Sequence, residues 1–94
     1  MAVRFEWDED KRRENLRKHG VDFREAAEMF EGPMLVRADS REYYGEDRYI
    51  GYGLVKGMLM VIVFTEPDAG TVRIISLRKA KKNEKRHFAA KVRD

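Results

Sequence analysis

Between Arg48 and Leu77 the pattern of the chain leaves little room for anything but a sheet. Met58 to Phe64 is an unbroken run of seven apolar residues, the length of a buried strand and far short of a membrane span. Before it, Lys56-Gly57 is a two-residue hairpin connection to a strand over Arg48 to Val55. After it, Pro67-Asp68-Ala69-Gly70 puts proline and glycine where a tight turn favours them, and a last strand follows over Thr71 to Leu77. Short turns join antiparallel neighbours, so the sequence predicts an antiparallel sheet.

The flanks supply the other layer. Val3 to Trp7 reads as a short strand with Val3, Phe5 and Trp7 on one face. A charged helix from Asp8 to about His19 ends at Gly20, and Glu14 and Lys18 form an i,i+4 pair on it. Leu16 is its only strongly apolar residue, which predicts light packing. Asp22 and Glu25 have capping-box spacing for a second helix whose stripe is Phe23, Ala26, Ala27 and Phe30, stopped by Gly32-Pro33. Met34 to Arg37 is a short strand, and Ala38 to Asp47 a polar loop carrying Tyr43 and Tyr44. A final helix is expected from Arg78 or Lys79 onward. The order of strand, two helices, four strands and helix predicts one α+β domain over residues 1–94, with the first two helices on one face of the sheet. Gly51 and Gly53 leave a bare strip on one face of their strand, for helix packing or for a ligand.

Several function classes are unexpected here. A chain of 94 residues makes one thin core, so chemistry belongs on an open groove. The absence of cysteine excludes disulfides and thiolate metal sites. The early charges argue against a secretory leader, so a cytoplasmic setting is expected, with no membrane association. His19 and His87 lack ligand spacing, and Gly51-Tyr52-Gly53 lies within a strand rather than before a helix. No metal or cofactor is expected.

Charge distribution points to a partner. Residues 71–94 hold nine Lys and Arg against two acids, whereas residues 1–70 hold eleven against fifteen. Such asymmetry suits a polyanion at the basic end, although a solvated basic helix gives the same count. Lys79, Lys82 and Arg86 recur at i, i+3 and i+7 and form one cationic ridge on the last helix, broadened by Lys81 and Lys85. These groups would hold phosphates without reading sequence. Ala80, Glu84 and His87 share a neighbouring face. A carboxylate and an imidazole beside a cationic ridge suit RNA cleavage by the substrate's own 2′-hydroxyl. A base takes its proton, an acid protonates the departing 5′ oxygen, and Arg or Lys stabilises the phosphoryl charge. Imidazoles are the side chains that ordinarily titrate near neutrality. The blander readings are that His87 packs at the core edge beside Phe88 and that Glu84 pairs with nearby lysines. His19 beside Gly20 fits a helix C-terminus. Arg78 is the foremost candidate. Regular alternation puts Arg73 and Arg78 on opposite faces, so both serve one site only if the strand ends or bulges before Arg78.

The chain also resembles the BrnT family of type II toxin–antitoxin toxins. The matching stretches are Phe5-Glu6-Trp7-Asp8, Lys18-His19-Gly20-Val21 with Phe23, Glu25 and Ala26, and Phe30 with Gly32-Pro33. Further on come Arg48-Tyr49-Ile50 with Gly53, and Arg73 to Ala80 with Glu84. The resemblance implies a RelE-like fold and a ribonuclease that halts translation. It also implies a BrnA-like antitoxin, through which alone operator DNA would be bound. By resemblance, Arg48, Arg73, Arg78 and Glu84 stand at the family's polar motif positions. Leu77 replaces the usual alanine, and Phe88 stands where the family usually has tyrosine. Phe88 cannot carry a proton, so His87 substitutes or activity is weakened.

The expected function is therefore a metal-independent endoribonuclease toxin. Arg78, His87, Glu84 and Arg48 are its catalytic candidates, and Arg73, Lys79, Lys81, Lys82, Lys85 and Arg86 its RNA-binding ones. The alternative is a catalytically weak module that binds nucleic acid and its antitoxin. A purely structural partner protein fits the basic end less well.

Overall fold

The computed structural model describes residues 3–93. Strand β1 (Arg4–Trp7) leads into helix α1 (Glu9–His19) and a 3-10 helix (Phe23–Glu31). Strands β2 (Met34–Ala38), β3 (Tyr49–Val55), β4 (Met58–Thr65) and β5 (Thr71–Lys79) follow, then helix α2 (Lys82–Arg93). The sheet order is β1-β5-β4-β3-β2.

The sheet is mixed, not antiparallel. β2 to β5 pair antiparallel as their turns dictate, but β1 pairs β5 in parallel. β1 is remote in sequence from β5, so no turn fixes its direction. The hairpin at Lys56-Gly57 is as expected: both residues have positive φ, 50° and 78°, as a type I′ turn requires.

The caps of the first helix form as read. Asp8 accepts from the Lys11 backbone, and Gly20 closes the other end in the left-handed region with φ 72°. Glu14 pairs with Arg17 instead of Lys18. Leu16 is 39% exposed, and the buried residue of α1 is Asn15. Its side chain donates to the Leu77 carbonyl at 2.8 Å and accepts from the Leu77 amide at 3.2 Å. β1 pairs with β5 only as far as Ile74, and Asn15 serves the edge of β5 beyond that point.

The second helix keeps its capping box, with Glu25 accepting from the Asp22 amide at 2.9 Å. Its winding differs from the α-helix expected. A three-residue turn brings Phe23, Ala26 and Met29 to one face, and these are its buried residues. Met29 thus replaces Ala27 in the stripe, while Phe30 packs at the margin, edge-on to Phe5 and Phe64 at 5.2 and 5.5 Å. The core joins Phe23, Ala26 and Met29 to Met60, Ile62, Phe64, Val72, Ile74 and Leu77 on the first face of the sheet. The bare strip at Gly51 and Gly53 serves packing. A Cβ at Gly51 would lie 2.6 Å from Met34 Cε, and one at Gly53 3.3 Å from Met29 Cβ.

Candidate functional site

The second face of the sheet carries a smaller cluster, Ile50, Val61 and Val63, with Tyr52, Ile75 and Ala80 against it. Two irregularities in the last strand decide what projects there. The first is a bulge. Val63 pairs with Ser76 but Phe64 with Ile74, leaving Ile75 as an extra residue. Ile74 and Leu77 therefore both point into the main core, while Ile75 joins the second cluster. The bulge satisfies the condition for sharing a face: Arg73 opposite Thr65 and Arg78 opposite Val61 both lie on the second face. They remain roughly 15 Å apart along the strand, too far for one catalytic shell.

The second irregularity is the length of β5. It runs through Lys79, and α2 begins only at Lys82. Arg78 is a strand residue, not the start of a helix. Lys79, Lys82 and Arg86 consequently do not form one helical ridge. Lys79 and Lys81 precede the helix, and Lys82, Lys85 and Arg86 lie on it, all of them exposed. Ala80 also lies outside the helix and packs on the sheet.

The chain reversal between β5 and α2 is held by one ion pair. Arg78 Nη1 and Nη2 donate to Glu84 Oε1 and Oε2, each at 2.9 Å. Glu84 Oε1 also accepts from the Lys81 amide at 2.7 Å, the carboxylate half of a capping box at the start of α2. Both side chains are partly buried, 33% exposed for Arg78 and 16% for Glu84. Hydrogen bonding to Arg78 outweighs burial and holds the Glu84 carboxyl down to about 2; the same bond raises Arg78. Glu84 is thus ionised across the neutral range with both oxygens engaged, which suits holding a guanidinium better than carrying a proton.

This pair has a testable pH signature. A carboxyl lowered from 4.5 to about 2 stabilises the fold above its unfolded value, and the contribution fades as pH falls towards the folded value. The stability gap between wild type and Glu84→Gln should be full at pH 7 and shrink below about 4.5. Urea unfolding from pH 7 to 3 measures it. A gap independent of pH would separate Glu84 from Arg78.

Beside the pair lies an open groove between β2, β3 and α2, lined by Leu35, Val36, Arg37, Tyr52, Asn83, Glu84, His87, Phe88 and Lys91. Phe88 is the buried anchor of α2, 8% exposed. His87 is exposed and lines the groove with Glu84. Arg37 Nη2 donates to the Tyr52 hydroxyl at 3.3 Å. Arg37 and Tyr52 were not singled out by sequence. Their signal was two-residue alternation, since Tyr52 separates the two bare glycines and so points to the opposite face.

Two predicted residues lie elsewhere. Arg48 sits in the loop before β3, 4.0 Å over the Tyr44 ring and 3.6 Å from Glu46. Its carbonyl accepts from the Asp39 amide at 2.7 Å. The loop is further tied by buried Asp39, gripped by Arg41 at 2.7 and 2.8 Å. The Arg41 hydrogen bonds hold the Asp39 carboxyl down to about 2. Arg73 pairs with Glu6 at 2.6 Å across β1 and β5. The structure therefore joins Arg78 to Glu84, sets Glu84 with His87 along the groove, and leaves Arg48 and Arg73 outside it.

A mixed sheet with a fixed guanidinium, an accessible imidazole and surrounding lysines defines a class: a small α+β domain whose open face suits a phosphodiester chain. Comparison with known proteins sharpens this. Residues 7–84 match the family described as the ribonuclease toxin BrnT of type II toxin–antitoxin systems. The chain belongs to that family. The matched segment includes Arg48, Arg73, Arg78 and Glu84 and ends before His87 and Phe88. The crystal structure of the Brucella abortus ribonuclease toxin BrnT superposes with a TM-score of 0.67 at 26% identity, covering 86% of this chain and 100% of that one. No curated protein matches.

Proposed function

We propose that this protein is a metal-independent endoribonuclease toxin whose action on messenger RNA halts translation in the cytoplasm. The observation that carries the reading is Arg78, clamped by Glu84, the carboxylate that lines an open groove together with His87. In this reading the scissile phosphate meets Arg78, which stabilises charge developing on the phosphoryl oxygens. Glu84 positions that guanidinium. His87 takes the proton of the attacking 2′-hydroxyl, giving a 2′,3′-cyclic phosphate as the bond to the 5′ oxygen breaks. Arg48 acts on the loop it packs against, and Arg73 extends the cationic track. The fold is read as RelE-like, with the helices before β2 together on one face. The test is incubation of the purified chain with RNA in the presence of chelator. Binding without cleavage would favour the weak-homologue alternative.

The lysines have a separate test. If Lys79, Lys82 and Arg86 meet phosphates, log affinity for single-stranded RNA should fall with log salt at about −0.7 per phosphate neutralised. Replacing all three by alanine should flatten the slope by roughly two. An unchanged slope would make them a solvated surface.

A type II toxin has an antitoxin, and the proposed one is BrnA-like, an acidic or amphipathic segment of it covering α2 or the adjoining sheet edge. Opposite charge favours such docking. Operator DNA would be reached only through that partner. A small ribbon-helix-helix protein encoded beside this gene would fit.

A further inference from the structure

Cleavage through the 2′-hydroxyl moves two protons, one off the nucleophile and one onto the leaving oxygen. His87 accounts for one, Glu84 is occupied by Arg78, and Phe88 has no hydroxyl. The groove holds another. Register places Leu35, Tyr52, Val61 and Arg78 in a single row across β2, β3, β4 and β5. Tyr52 and Arg78 flank Val61 on the second face, two strands and about 10 Å apart at the backbone. Their side chains project from the same face of the sheet, and Tyr52 lines the groove with Glu84, the partner of Arg78, and with His87. The Tyr52 hydroxyl accepts from Arg37 at 3.3 Å. Among the described residues it donates to none, so its own proton is free to face the groove.

We propose that Tyr52 is the general acid of the reaction, a catalytic residue contributed by the sheet. The inference rests on the ribonuclease reading of this groove. The 2′ oxygen forms its bond to phosphorus as the bond from phosphorus to the 5′ oxygen breaks. His87 receives the 2′ proton, and the Tyr52 O–H proton passes to the 5′ oxygen, leaving a 5′-hydroxyl product. The phenolate that remains faces the Arg37 guanidinium until solvent returns a proton to it and removes one from His87.

Tyr52→Phe isolates this role because the ring still packs against Ile50, Val61 and Val63. Single-turnover cleavage of an RNA oligonucleotide should slow by roughly 100-fold or more. Affinity for the same RNA should stay near wild type. The decisive substrate carries sulfur in place of the bridging 5′ oxygen at the scissile bond. A thiolate departs without protonation, so wild type and Tyr52→Phe should cleave it at similar rates. Equal slowing on both substrates would overturn the acid role, as would a wild-type rate for the variant on ordinary RNA. Either result leaves the ribonuclease reading standing if wild type cleaves and Arg78→Ala does not. Failure of wild type to cleave either substrate would remove that reading, and this inference with it.

Discussion

Arg78→Ala should lower metal-free RNA cleavage by about 10²- to 10³-fold, the loss typical when one preorganised charge-stabilising donor is removed. The geometry explains why so much rests on one side chain. Arg78 is partly buried, fixed by two hydrogen bonds to Glu84 and by a third to the Lys79 carbonyl at 3.2 Å. A guanidinium already oriented needs no reorganisation as charge develops. Arg78→Lys should restore only part of the rate, since an ammonium cannot present a planar fork to Glu84 and phosphate together. His87→Ala should cost less, since one proton transfer usually contributes less than preorganised charge stabilisation. The measurement is single-turnover cleavage across pH with chelator present. A wild-type rate for Arg78→Ala would move the phosphate elsewhere on the molecule. An unchanged rate for His87→Ala would remove it as a proton carrier.

What was legible in the sequence followed from local rules. The hairpin at Lys56-Gly57, the caps at Asp8, Gly20 and Asp22, and the strand over Met58 to Thr65 depend on neighbours within a few residues. What escaped depended on long-range pairing. The parallel partner of β1 lies 67 residues away at Arg4 and Thr71, and no turn announces it. The bulge at Ile75 is set by what β4 and the core accept, not by composition. It alone brings Arg73 and Arg78 to one face, a possibility alternation could state but not decide. The same dependence moved the start of α2. Arg78, Lys79 and Ala80 have helical company in sequence, yet pairing with Val61 and Met60 keeps the first two in the sheet. The Ala80 amide then bonds the Leu59 carbonyl at 3.0 Å. Arg78 and Glu84, both singled out by sequence, therefore meet across a strand-to-helix turn rather than along a helix. Tyr52 and Arg37 were hidden because their strands are short and their chemistry arises only once four strands align.

Asn15→Leu should destabilise the protein by about 3 kcal/mol, because it strips partners from backbone groups that remain buried, at roughly 1–3 kcal/mol each. Asn15 is 7% exposed. Its amide serves the Leu77 carbonyl at 2.8 Å and the Val21 carbonyl at 3.3 Å, and its oxygen receives the Leu77 amide. One side chain thus stands in for the missing next residue of β1 and ties α1 to β5. Leucine keeps the branched heavy-atom shape, although it is bulkier, and offers neither donor nor acceptor, so all three backbone groups lose their partner. For a domain of this size the melting temperature should fall by roughly 12–24 °C, at 4–8 °C per kcal/mol. Leu16, the residue that looks like the anchor of α1 by hydrophobicity, is the control. It is exposed, and Leu16→Gln should change stability by less than about 0.5 kcal/mol. Urea and thermal unfolding of the two variants give the comparison. If Asn15→Leu unfolds with wild type while Leu16→Gln is the destabilised one, α1 is held by its apolar contact and the edge of β5 needs no cap. If the expected order holds, the effect reaches the groove. Leu77 immediately precedes Arg78, so loosening its backbone should lower cleavage at temperatures where the fold is still intact, through a guanidinium less firmly held rather than one removed.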